Sequence, residues 1–165
     1  MGSRSKIDLA YIAGFLDGDG SLMLQLKKRG DSKIGMRFML TICFYQDSRH
    51  DQPLRWIRSI FNIGYISKRN DGMTELRING HQQIRDSIKD LLPYIKFKKI
   101  QARALLKASE ILCGGNISKL KTNELKKLVQ LMLVIQNENY VTKNKRSKKE
   151  LYKILGLTPY RLDPN

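Results

Sequence analysis

Ala10, Gly14 and Gly18 recur at every fourth position and run into Asp17, Asp19 and Gly20. On a helix this spacing lines the three small residues along one face. A glycine in a helix interior costs about 1 kcal/mol relative to alanine. A row containing Gly14 and Gly18 therefore points to a bare face that meets a second helix backbone to backbone, with Ala10, Ala13, Gly14 and Gly18 as the contact residues. The same stretch carries acids at the wrong end. Asp17 and Asp19 close the helix, where the macrodipole is already negative, so a cation is expected there. If two copies packed through the bare face, two Asp19 side chains would meet, and the ion between them would be divalent.

The charge balance narrows the partner. The 165 residues hold 31 Lys+Arg against 15 Asp+Glu, a net charge of +16. A folded domain with that excess repels itself unless it meets a polyanion, so nucleic acid is the expected partner. No apolar run is long enough for a membrane span, and no membrane role is expected. Met1 to Ser5 has no apolar core, so no secretory leader is expected, and Lys6 breaks the myristoylation pattern. Cys43 and Cys113 form no metal-type pair and are expected to stay reduced inside a cell. His81 has no partner at ligand spacing and is assigned no role.

The length suits a single domain, with a core over about 6–112 and a helical extension over about 118–158. Ser5 and Asp8 read as a capping box opening the first helix, which runs to about Asp17. The period then switches to two. Leu22, Leu24 and Leu26 alternate with Met23, Gln25 and Lys27, followed in step by Arg29. After a turn at Gly30-Asp31-Ser32, Phe38, Leu40, Ile42 and Phe44 alternate with Arg37, Met39, Thr41, Cys43 and Tyr45. Leu54, Ile57 and Phe61 mark a short helix. Asn70-Asp71-Gly72 is a hairpin signal between strands that carry Tyr65, Ser67 and Arg69, then Glu75 and Arg77. Ile84, Ile88, Leu91 and Leu92 mark a helix ended by Pro93. Ile100, Ala104, Ala108 and Ile111 form the next helical stripe, broken by Gly114-Gly115. Thr122 caps a helix with Leu125, Leu128, Val129, Met132 and Ile135 inside. A basic run from Lys143 to Lys149 leads into a last helix with Leu151, Ile154 and Leu155, and Pro159 and Pro164 end regular structure. Four antiparallel strands with helices on one face make this an α+β fold.

One polar face collects Gln25, Lys27, Arg29, Arg37, Thr41, Ser67, Arg69, Glu75 and Arg77. A β-ribbon fits the major groove, where Arg and Lys read guanine, Gln reads adenine and Glu reads cytosine. A polar outer face is also what any one-sided sheet has, but this one mixes base-reading types instead of using lysine alone. Met39, Cys43 and Tyr45 are odd on a solvated face. They fit thymine methyl groups or a covering loop.

Ile12-Ala13-Gly14-Phe15-Leu16-Asp17-Gly18-Asp19-Gly20 closely resembles the motif of the LAGLIDADG homing endonucleases, and its flanks resemble the single-motif, homodimeric branch. The resemblance extends to about Leu112. It implies that fold, with a saddle-shaped sheet, a dimer through the motif helix and binding of double-stranded DNA. It also implies that Asp19 binds the catalytic divalent ions together with the Gly18 carbonyl. The resemblance places Gln46 and Lys98 around the metal-bound water. The position four after Gln46 is usually Arg or Lys in that family. Here it is His50, with Arg49 adjacent, so which of the two reaches the scissile phosphate stays open. Oxygen ligands suit magnesium, with manganese expected to substitute, and no small-molecule cofactor is implied. Asp17 reads as structural.

The expected function is thus metal-dependent, site-specific DNA cleavage at a long pseudo-palindromic site, leaving 3′ overhangs. The expected setting is intron-encoded homing in an organelle or a prokaryotic cytoplasm. An intron RNA maturase and a non-catalytic DNA-binding regulator on the same fold are the alternatives.

Overall fold

The computed structural model describes residues 4–30, 35–115, 117–139 and 144–157. Part of the Gly30-Asp31-Ser32 turn, Lys143, Pro159 and Pro164 lie outside the described residues. Helix α1 (Lys6–Asp19) leads into strands β1 (Gly20–Lys28) and β2 (Met36–Asp47). Helix α2 (Gln52–Phe61) joins them to β3 (Tyr65–Lys68) and β4 (Met73–Asn79). Helices α3 (His81–Leu91), α4 (Lys99–Cys113), α5 (Thr122–Glu138) and α6 (Lys148–Ile154) follow.

The strands form one sheet in the order β1-β2-β4-β3, with all neighbours antiparallel. Its register pairs Gly20 with Phe44, Leu24 with Leu40, Ile42 with Ile78 and Ser67 with Glu75. The expected hairpin is present, and Gly72 at its tip has φ +80°, the left-handed region that glycine enters without strain. Period-two alternation holds on β1 and as far as Leu40 on β2, beyond which Thr41, Ile42, Cys43 and Phe44 are all buried. Leu22, Leu24, Leu26, Phe38, Leu40, Ile42 and Phe44 are all buried in a single core shared with the inward residues of the helices.

The cluster includes Leu125, Leu128, Val129, Met132 and Ile135 of α5, so the C-terminal helices close the same core. They also shield an open edge. β1 is an outer strand, and its outward carbonyls would template pairing with another chain. Asn139 donates to the Leu22 carbonyl at 3.1 Å, and Arg146 donates to the Leu26 carbonyl at 3.4 Å. His81 acts as a strut where β4 ends, its two ring nitrogens 3.2 Å and 3.5 Å from the carbonyls of Leu112 and Phe38.

Four local expectations are corrected. Ser5 stands at the start of α1, but its side chain makes no capping bond. Thr122 is the first residue of α5 and not its cap; Glu124 reaches back to accept the Lys121 N–H at 2.8 Å. On α4, Ala104 and Ala108 are buried, but Ile100 is largely exposed and Ile111 only partly covered. α4 lies between α3 and α5, and this doubly flanked position buries Gln101, Leu105 and Leu112 instead. On α6 it is Tyr152, not Ile154, that joins Leu151 inside.

Candidate active site and nucleic-acid interface

Helix α1 passes into β1 without a loop. A side chain at Gly20 would lie 2.8 Å from the Leu16 backbone, so only glycine allows this junction. Asp19, the last helical residue, is thereby pinned between helix and sheet. It is exposed, and no described residue donates to its carboxylate.

Asp17 faces the other way. Its carboxylate accepts the backbone N–H groups of Lys96 at 2.7 Å, Phe97 at 3.2 Å and Lys98 at 2.9 Å. These donors precede the first turn of α4, so Asp17 binds the entrance of one helix to the exit of another. Lys98 returns the connection. Its ammonium donates to the carbonyls of Leu16 at 2.8 Å, Asp17 at 2.7 Å and Gly18 at 3.4 Å. The cation that the dipole at the end of α1 demanded is therefore, within one chain, Lys98. Burial pushes the Lys98 ammonium below its ordinary pKa, and the carboxylates of Asp17 and Asp19 pull it back up. Removing the Asp17 acceptor leaves three backbone donors to be satisfied by water. Asp17→Ala is expected to lower stability by about 1–3 kcal/mol in urea unfolding, with the midpoint shifted and the slope unchanged.

The register that sets Gly20 against Phe44 brings the end of β2 beside the Asp19 junction. Gln46, the penultimate residue of β2, sits there half-buried opposite Thr74, its side-chain oxygen accepting the Asp47 N–H at 2.9 Å. A single 3-10 turn, Ser48–His50, follows. Arg49 is engaged by Asp47 through both the backbone N–H and a two-pronged guanidinium contact at 3.0 Å and 2.8 Å. That contact holds the Asp47 carboxyl far below the usual carboxylate range. His50 is exposed; among the described residues its ring makes no hydrogen bond, but it acts electrostatically on the neighbouring Asp47 carboxyl.

The donors fit a hard, oxygen-seeking divalent ion. Asp19 offers a carboxylate that accepts no hydrogen bond from a described residue, and the Gly18 carbonyl beside it meets the Lys98 ammonium at 3.4 Å. They are too few alone: among the described residues no three His, Cys, Asp or Glu side chains cluster as a metal site.

Along α1, Ala10, Gly14 and Gly18 are exposed, and a β-carbon added at Gly14 or Gly18 would meet nothing within 4 Å. Ala13 is corrected: it is fully buried with Ile12 and Leu16, on the inner side of the helix. Apolar neighbours extend the bare face. Ile7 is 81% exposed, Tyr11 60% and Phe97 85%. Tyr11 meets Trp56 edge-on at 5.5 Å. Ile7, Tyr11 and Phe97 were not expected on this face. The signal was present, since α1 is apolar all round and such a helix needs cover on both sides.

On the outer sheet face Lys27, Arg29, Arg37 and Arg69 are exposed, and Gln25, Met39, Ser67 and Arg77 are half-buried. Three residues expected there as open contacts are not. Thr41 is fully buried and donates to Asn79 at 2.7 Å. Cys43 is also fully buried, and burial pushes its thiol up to about 11. Glu75 is enclosed among its neighbours, accepting from Arg77 and Ser67. The central strands of a sheet crowd short side chains beneath longer ones, which alternation alone does not reveal. Asn79 joins this face without having been expected.

A family model described as LAGLIDADG endonuclease matches residues 12–112, more than half of the chain. The chain is 30% identical over 103 residues to DNA endonuclease I-CvuI of Chlorella vulgaris, covering 62% of this chain and 64% of that protein. It is 29% identical over 106 residues to DNA endonuclease I-CreI of Chlamydomonas reinhardtii, covering 64% of each. The matched stretch thus spans slightly less than two thirds of either relative. In three dimensions the chain resembles the crystal structure of the homing endonuclease I-CvuI in complex with its target in the presence of calcium. The TM-score is 0.81 at 25% identity, covering 93% of this chain and 98% of that one. A second structure, I-CvuI with the I-CreI target and magnesium, gives a TM-score of 0.71 at 26% identity over 92% and 96% of the two chains. The four-stranded antiparallel sheet with its helices matches that architecture. The motif, the fold and the family match converge, and the chain belongs to the LAGLIDADG endonuclease family.

Proposed function

We propose that two copies of this chain form a site-specific, metal-dependent endonuclease that hydrolyses both strands of a long pseudo-palindromic DNA duplex. The observation that carries this reading is the exposed carboxylate of Asp19, hydrogen-bonded by no described residue, at the end of a helix whose bare face no described residue covers. Packing two such faces would bring two Asp19 carboxylates together and supply the oxygen ligands that one chain lacks. The named relatives are DNA endonucleases, and I-CvuI was crystallised with DNA targets in the presence of calcium or magnesium.

Asp19 and the Gly18 carbonyl would hold the ion, magnesium with manganese as substitute. When bound, a divalent ion activates water and stabilises charge on the scissile phosphate. Lys98 fixes the backbone of that ligand pair by holding the carbonyls of Leu16, Asp17 and Gly18. Gln46 orders solvent at the end of β2. His50 is the better placed of the two candidate phosphate contacts, because Arg49 is already engaged by Asp47. The resemblance adds 3′ overhangs and intron-encoded homing in an organelle or prokaryotic cytoplasm. No helix among the described residues is long and apolar enough to cross a membrane.

Incubation with a randomised duplex library and magnesium, followed by sequencing of cut ends, tests the reading. A recurrent two-fold symmetric site supports it. No cleavage of any duplex with either metal would refute it. Once a site is known, Arg37→Ala is the sharpest probe of the sheet. Arg37 is exposed opposite Lys27 and engaged by no described residue. The variant is expected to lose roughly 10- to 100-fold discrimination at one symmetric pair of positions. A uniform loss over all sequences would make Arg37 a phosphate contact instead.

A further inference from the structure

Glu75 is a buried carboxylate in the middle of a face whose exposed charges are mostly cationic, with Asp71 paired to Arg69 at its hairpin end. Its side chain is 9% exposed, against 30% for Arg77 and 46% for Arg69. Arg77 donates Nε to one carboxylate oxygen at 2.6 Å and Nη2 to the other at 3.2 Å. Ser67, directly opposite on β3, donates to the first oxygen at 3.2 Å. Arg69 Nη1 lies 4.0 Å from the second, and the Cys43 thiol lies 3.9 Å from it underneath. Burial pushes the Glu75 carboxyl up, but Arg77, Ser67 and Arg69 outweigh it, and the group stays below the ordinary carboxylate range.

A carboxylate so enclosed cannot reach a cytosine amine. Facing a polyanion, it also repels what this surface binds. It therefore serves something other than affinity. Two parallel contacts fix the angle of a guanidinium far better than one. Here they use the Nε–Nη2 edge of Arg77 and leave the Nη1–Nη2 edge, two parallel N–H donors, directed away from Glu75. That edge matches the paired acceptors of guanine in the major groove.

We infer that Glu75 is a positioning residue for sequence selectivity: it holds Arg77 at one angle so that its free edge reads guanine, and it offsets the charge that would otherwise let Arg77 settle on any nearby phosphate. This rests on the DNA-cleaving reading above.

The test runs wild type, Glu75→Gln and Arg77→Gln through the same randomised duplex library, with binding to random-sequence DNA measured over a salt series. Wild type should enrich guanine at one symmetric pair of positions. Glu75→Gln should weaken that preference about tenfold, bind random DNA more tightly at low salt, and steepen the salt dependence by about one phosphate contact per subunit. Arg77→Gln should lose the same guanine while other positions hold, and if Glu75→Gln does not fold, Glu75→Asp, which keeps the charge but shortens the reach to Arg77, should weaken the same preference and no other. If wild type enriches a site and Glu75→Gln enriches it with equal stringency, Glu75 has no positioning role, although the endonuclease reading stands. If Arg77→Gln changes no position, the inference also falls. If wild type enriches nothing, the endonuclease reading falls and takes this one with it.

Discussion

Asparagine in place of Asp19 is expected to leave DNA binding close to wild type and to lower cleavage by roughly a thousandfold, the equivalent of about 4 kcal/mol of lost transition-state stabilisation. The substitution keeps shape and removes charge. Asp19 is exposed and receives no hydrogen bond from a described residue, so what the fold loses is its charge interaction with the Lys98 ammonium. The helix gains slightly, because a negative charge leaves the end where the macrodipole is already negative, an effect of about 0.3–1 kcal/mol. The two effects oppose each other, so the melting temperature should hold close to wild type while cutting disappears. A variant that melted earlier would have lost activity through folding, and one that still cut would remove Asp19 from the chemistry. Gel shift, single-turnover cleavage and a thermal melt on one preparation distinguish these outcomes.

Leucine in place of Gly14 is the second large expectation, and its effects have opposite signs on the protomer and the pair. Within one chain nothing lies within 4 Å of a β-carbon at this position, so the leucine is accommodated. It replaces an interior helical glycine and should stabilise α1 by up to about 1 kcal/mol. Between two chains it would push apart backbones that the row of Ala10, Gly14 and Gly18 allows to approach. Sedimentation should then show a 19.1 kDa monomer, and double-strand cleavage should vanish. Gly14→Ala should be milder on both counts. A leucine variant that still sediments as a pair and cuts would mean that the active unit does not meet through this face, and the proposal of a shared site would fall.

The local pattern was legible where one physical rule dominates. The alternation on β1 is strict because one face of that strand is buried and the register allows no slip; on β2 it stops at Leu40, since the centre of the sheet covers Thr41 and Cys43 as well. The turn at Asn70-Asp71-Gly72 needed a glycine at positive φ, and the chain has one. The small residues of α1 were legible because glycine inside a helix is costly without a reason. Where two rules compete, the pattern was ambiguous. The stripe on α4 was misjudged because neighbours on two sides, and not a single face, decide what it buries. Ala13 was misassigned because a small residue suits a core and an interface equally well.

The site divides along the same line. From the residues and the family they resemble came Asp19 at the helix end, the basic sheet face and the fold. The tertiary structure alone decided that Lys98 is the cation capping α1, that Asp17 binds the approach to α4, that Arg49 is taken by Asp47, and that Thr41, Cys43 and Glu75 lie beneath the outer sheet face. Lys98 and Asp17 stand some 80 residues apart in the chain. Periodicity reports which side of an element a residue occupies. Which charge meets which carbonyl depends on how the elements are folded against one another, and that is a property of the packed whole.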